Sequence, residues 1–351
     1  MNLEKQLPIQ IPLIHGRMYY AFPLCILATG DEYYPWFVSN FIQLQAFNDV
    51  QEQGIAELRF FDADHPYCFD EVLDVENTII KANDVEQQII EAIVQNRYVY
   101  TYVDKYEVSD NPFTGKKHVT QEILIYGYNL TERVFYILGF NKSRLFAYST
   151  VKFDEVTNGI IHAQNKEFYL LKQKSGVRHE FDLSHVIQLT EDYLQSSSSP
   201  RHKRISSSIH LTYGLNVYSS LIESLNCMHM KEGALVTNIA YLHILWEHKK
   251  MMLMRLDYMS SHQMLSADGS TAIWEQCKQI ETEVYGLRSK ILKYEIVQND
   301  KLIHQIKQSL HQMVSKEREM LTMWLDMMKE FVHIIPTLQE FPNQKVENIK
   351  I

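Results

Sequence analysis

The chain has 351 residues, enough for one large domain or two, and 46% of them are hydrophobic, enough to fill real cores. Its formal charge of -9 speaks against a nucleic-acid binder, since no basic face offsets it. Cys25, Cys68, Cys227 and Cys277 are scattered, with neither CxxC nor zinc spacing, which argues against a disulfide framework or a metal knuckle.

The N-terminal MNLEKQLPIQIPLI has an acidic residue and prolines where a signal peptide needs a basic head and an apolar run. No run of about 18 apolar residues occurs anywhere, so the expectation is a cytoplasmic protein with no membrane span. The segment around Cys25 reads as buried strand. Asp31 then predicts a helix N-cap, with Pro35 near the first turn, where a missing N–H costs nothing. That helix would run through Trp36, Asn40, Gln43, Leu44 and Phe47 at three- and four-residue steps. A strand is expected at Ile55–Phe61.

FDADHPYCFD follows, with Asp62, Asp64 and His65. Their spacing matches no strong metal site, and an Asp/Pro turn explains them. No GxGxxG or Walker loop occurs, so no metal and no cofactor is expected. Asn83 with Glu86 three residues on is a capping-box pattern ahead of Val85, Ile89, Ile90 and Ile93. RYVYTYVD reads as a strand. HVTQEILIYGYN and RVFYILGF, around a polar turn at Asn129–Glu132, read as a β-hairpin. Further strands are expected near Leu145–Thr150 and in KEFYLLKQ. The first part therefore reads as α+β, an antiparallel sheet with an early helix packed on it.

QSSSSPRHKR, at Gln195–Arg204, is linker chemistry. Beyond it, Tyr213–Leu225, Leu235–His262, Thr271–Val297 and Lys301–Ile334 carry apolar residues at helical steps and predict a helix bundle. Asp268-Gly269-Ser270 marks a turn and Pro336 a stop. Glu247-His248-Lys249-Lys250 lies mid-helix and reads as a solvated charged face. The methionines from Met251 to Met328 read as adaptable core filling rather than a promiscuous binding groove, or as the seam of a homodimer.

The hairpin around Tyr126-Gly127-Tyr128, the segment Leu24–Leu44, Tyr213–Tyr218 and Trp246–Lys250 resemble segments of the butirosin biosynthesis protein H-like family. That resemblance implies a papain-like N-terminal domain in thiotemplated (nonribosomal) antibiotic biosynthesis, with an acyl or peptidyl carrier protein or a synthetase as partner. It casts Cys25 as nucleophile and His118 as base, with Tyr33, Gln121, Tyr126 and Tyr128 as binding residues. In the register that aligns Ile125-Tyr126-Gly127-Tyr128 with the family's hairpin, Gln121 stands where the histidine is expected. Gly139 then stands at the histidine's partner position, and Tyr33-Tyr34-Pro35 at Cys-Gly-Pro. A glutamine cannot cycle a proton near neutral pH.

Three readings follow: a degenerate scaffold that binds carrier-linked intermediates, a cysteine-dependent amide-forming acyltransferase, or a helical interaction protein without catalysis. The expected layout is a papain-like domain over 1–194, a linker over 195–204, a long-helix domain over 205–340 and a tail over 341–351.

Overall fold

The structure, a computed structural model, describes residues 2–49, 55–61, 69–80, 83–197, 211–227, 234–339 and 349–350. The expectations at 62–68, over 198–204 of the linker and over 341–348 of the tail lie outside the described residues. Strands in chain order are β1 (Glu4–Gln6), β2 (Leu44–Asp49), β3 (Ile55–Phe60), β4 (Leu73–Thr78), β5 (Tyr98–Asp104) and β6 (Thr120–Asn129). They continue with β7 (Val134–Phe140), β8 (Phe146–Lys152), β9 (Phe168–Gln173), β10 (Phe181–Asp182), β11 (Leu211–Tyr213) and β12 (Ile349–Lys350). Helices are α1 (Met18–Leu27), α2 (Tyr34–Ser39), α3 (Val85–Val94), α4 (Phe153–His162) and α5 (Leu183–Gln195). They continue with α6 (Val217–Asn226) and three long ones, α7 (Ala234–Ser261), α8 (Ala267–Val297) and α9 (Asp300–Gln339).

The chain divides into two compact units, one of Met1–Tyr33 with Ala63–Arg178, the other of Tyr34–Asp62 with His179–Ile351. The first unit is thus shorter than the expected 1–194. The second takes α2, β2, β3 and α5 besides the long helices. No described helix is long and apolar enough to cross a membrane.

Unit 1 is an antiparallel sheet in the order β4-β9-β5-β6-β7-β8, with β1 added alongside β6. Every residue of β5 except Tyr102 is buried, the signature of a strand covered on both faces. The covers are visible in the contacts. Phe22 of α1 meets Tyr100 edge-on at 5.6 Å, whereas Gly159 of α4 abuts Val103. Three residues apart on one strand, Tyr100 and Val103 point to opposite faces, so α1 and α4 enclose the sheet.

The Cys25 segment is thus helix rather than strand. From Tyr20 to Leu27 all eight residues are buried, and an element apolar all round shows no period to read. The hairpin forms as expected, its turn fixed by Asn129, whose Oδ1 accepts from Thr131 N (2.9 Å) and Glu132 N (3.0 Å). Gly127 sits at the register shift of β6, where a Cβ would lie 2.6 Å from Lys5 O. A side chain there would evict β1, which accounts for the glycine between two tyrosines. The helix at Val85 also forms, but its N-cap is Asp84 and no side-chain cap bond is made.

In unit 2 the helix expected through Phe47 stops at Ser39. Phe41 takes a left-handed φ of 59°, and Leu44–Asp49 pairs with β3 and β11 instead. Long-range pairing overrides the local helical period there. The four helical segments form, with three corrections at their ends. Tyr213 belongs to β11, and the first helix starts only at Val217. Asp268, Gly269 and Ser270 belong to the first turn of α8, which starts at Ala267 behind the N-cap Ser266. Gly269 lies against Met327 of α9, closer than a Cβ would allow. And α9 runs past Pro336 to Gln339; a proline in a final turn removes one N–H bond without stopping the remaining residues.

Candidate functional site

In unit 1, β5 ends on Asp104, and the chain reaches β6 only after a loop that folds on its own hydrogen bonds. Asn111, 4% exposed, donates from Nδ2 to Lys105 O (3.1 Å) and Val108 O, and its Oδ1 accepts from Phe113 N at 2.8 Å. Thr114 Oγ1 donates to Val108 O (2.7 Å), and Gly115, at a φ of 64°, donates from N to Tyr106 O (3.0 Å). Ser109 N donates to Glu155 Oε2 of α4 at 2.9 Å. A loop pinned this way can hold a side chain in one place.

The side chain it holds is His118. Its Nδ1 lies 2.6 Å from Asp104 Oδ2, and its ring stacks on Tyr106 at 4.3 Å with 16° between planes. Asp104 Oδ1 meanwhile accepts from Tyr106 N (3.0 Å) and Val119 N (3.2 Å). Burial would raise the Asp104 carboxyl, but the bond from His118 and the two backbone N–H groups outweigh it and hold the pKa below the usual aspartate value. An ionised carboxylate only accepts, so Nδ1 donates to it, and in the neutral ring the lone pair is then on Nε2. The Asp104 side chain is 6% exposed and that of His118 70%. No described residue bonds Nε2. This is an oriented imidazole with a free basic nitrogen, the base-and-orienter half of a catalytic triad.

The thiol half is elsewhere. Cys25 is wholly buried in α1, and desolvation pushes its thiol far above the ordinary value, with Tyr148 the titrating group it acts on. A nucleophilic cysteine requires the opposite, a lowered pKa and an imidazole within about 3–4 Å. Cys25 and His118 share no hydrogen bond among the described residues.

Gln121, half-buried on β6, pairs with Val103. Tyr126 is 7% exposed, ringed by Tyr136 (6.2 Å) and Tyr148 (6.0 Å), and burial pushes its hydroxyl up to about 12. Tyr128 is fully buried and donates to Asn2 O at 3.3 Å. Both tyrosines are hairpin packing. Tyr33 is half-buried in the turn before α2. Asp104 was not legible as a partner, because it ends a different strand 14 residues before His118.

Unit 2 contains the other concentration of polar groups, and it corrects an expectation. Glu247, His248 and Lys249 are at most 1% exposed rather than a solvated face. Lys249 Nζ donates to Glu317 Oε1, to His248 Nδ1 (2.9 Å) and to Tyr193 OH (3.3 Å). Glu317 also accepts from Tyr193 OH (3.1 Å) and Tyr218 OH (2.5 Å). His248 Nε2 donates to Ile42 O at 2.7 Å, which leaves Nδ1 as the acceptor Lys249 needs.

Desolvation, then the Lys249 charge, drives the His248 pKa well below its ordinary value, so the ring is neutral. Desolvation lowers Lys249 and Glu317 raises it, leaving it below the ordinary lysine value. All three ammonium donors are used and the cluster is sealed from water. Such a network fixes which helix faces meet, and offers a substrate nothing.

Compared with known proteins, the chain matches no family model and no curated protein.

Proposed function

We propose that the chain serves thiotemplated biosynthesis as a papain-like binding protein with an altered active site. It holds carrier-linked acyl or peptidyl intermediates and forms no cysteine thioester. The observation that carries this is Cys25, wholly buried and with its thiol pushed up by desolvation, a setting that disfavours the thiolate. The papain-like plan is supported by the early helix α1 packed on an antiparallel sheet, and by the hairpin with its Gly127. The pathway rests on the resemblance set out above.

The test has two parts. Native protein titrated with iodoacetamide across pH should show no labelling of Cys25 below about pH 8.5, the ordinary thiol value. A carrier protein bearing an acyl-phosphopantetheine arm should bind the chain, and the same carrier without its arm should bind more weakly. Rapid Cys25 labelling near neutral pH, or equal binding of both carriers, would overturn the proposal.

The Asp104–His118 pair favours a second reading, in which His118 Nε2 takes the proton from an amine as it attacks a carrier thioester directly. The carrier thiol leaves and an amide forms without a covalent enzyme intermediate. If so, His118→Ala abolishes amide formation while Cys25→Ala leaves it unchanged.

A further inference from the structure

Beside the Asp104–His118 pair stands a lysine that this reading does not use. Lys105 is 3% exposed, the first residue of the loop, and its backbone is fixed by Val119 O and Asn111 Nδ2. Its ammonium group makes no hydrogen bond or ion pair with any described residue. Asp104, next to it in the chain, is committed to His118 and to two backbone N–H groups. The charge that acts on Lys105 is Glu122 of β6, with no hydrogen bond between them.

The ammonium group points at a gap. Gly139 of β7 leaves a side-chain position empty on the sheet; among the described residues, its chain neighbours aside, the only heavy atom within 4 Å of where its Cβ would be is Lys105 Nζ, at 3.9 Å. A buried cation without a partner costs free energy, which the chain recovers by releasing the proton. Accordingly desolvation lowers the Lys105 pKa to about 8, with Glu122 opposing.

We propose that the space over Gly139 is a site for a small neutral aldehyde, with Lys105 as the amine that condenses with it. The Nζ lone pair bonds to the carbonyl carbon, and the carbonyl oxygen takes up the protons and leaves as water. A C=N bond forms, with no change of oxidation state. Glu122 favours the protonated imine. The small size follows from the room: one missing side chain on the sheet, with the Lys105 ammonium group 3.9 Å from the Cβ position.

The test uses the native full chain. Acetaldehyde and cyanoborohydride at pH 8, with peptide mass spectrometry against time, compare Lys105 with Lys116 and Lys117, exposed lysines of the same loop. At that pH about half of an amine of this pKa is neutral, against under about 1% of an ordinary lysine; Lys105 is therefore expected to become N-ethylated about tenfold faster than the two controls. Gly139→Val puts a side chain into the gap, at a position whose Cβ meets only Lys105 Nζ, and should bring Lys105 down to the controls' rate or below, with Gly139→Ala giving an intermediate rate and the melting temperature of each checked alongside. Labelling of Lys105 no faster than Lys116 and Lys117 would overturn the proposal, as would equally fast labelling in Gly139→Val.

Discussion

The Asp104–His118 pair in unit 1 leaves an imidazole open to solvent with one nitrogen free, whereas the Lys249–Glu317 pair in unit 2 is enclosed with every donor taken. Both are acid–base pairs held at hydrogen-bond distance, yet only the first can exchange a proton with a substrate. Their surroundings account for the difference. His118 is presented by a loop held by its own bonds and by Glu155 and Ser149, so its Nε2 need not be consumed to keep it in place. Lys249 and Glu317 lie between helices, where each must be satisfied by protein because water is absent. A polar residue in a core is therefore weak grounds for function, and a free lone pair on a fixed ring is stronger.

Breaking the buried pair should have the largest effect. Glu317→Gln removes the charge opposite Lys249 and should cost about 3–5 kcal/mol in denaturant unfolding, while the double variant Lys249→Met, Glu317→Leu should recover much of that loss. A cost below about 1 kcal/mol for the single variant would mean the pair is not sealed. The same burial predicts acid sensitivity. His248 stays neutral in the native state but binds a proton once unfolded, so unfolding takes up a proton and stability falls as pH drops through the ordinary histidine value of 6.5.

The buried cation of unit 1 comes next. Lys105 has a folded pKa of about 8 against an ordinary 10.5, so between those values the unfolded chain binds more protons and stability rises with pH. Lys105→Met should stabilise the protein at pH 7 by about 3 kcal/mol and remove that part of the pH slope. The wild-type minus variant difference isolates it from other groups, and a flat difference across pH 8–10.5 would contradict the assignment.

Asp104→Ala should cost about 1–3 kcal/mol, since it strands the Tyr106 and Val119 N–H groups as well as His118. The Asp104 contribution is present above the ordinary carboxyl value of 3.8 and is lost as pH falls below it, because its folded pKa is lowered. His118→Ala should do least to stability, within about 1 kcal/mol, because an exposed partner in water contributes little. That pairing of small stability loss with large activity loss is what a functional histidine would show. A melting temperature lowered as far as by Asp104→Ala would instead make His118 a structural part of the loop.

The hairpin, the strands around it and the four helices after Tyr213 were legible in the sequence because their periods of two and 3.6 are local properties. The turn at Asn129 was legible because an Asx turn closes over adjacent residues. Position alone misled at Glu247–Lys249, where three charged or polar residues in a row look solvated until Glu317, Tyr193 and Ile42 are brought around them. The helix expected through Leu44–Phe47 failed for a related reason, since β3 and β11 supply hydrogen bonds that no local pattern reveals. Asp104 as the partner of His118, and the gap at Gly139 facing Lys105, likewise join residues from separate strands. By itself the sequence determined the hairpin with its flanking strands and the helices after Tyr213, where the period is unbroken, but not the Cys25 helix or the Leu44–Asp49 strand. Tertiary structure alone decided which charges meet water and which meet each other, because burial is a property of what packs against a residue.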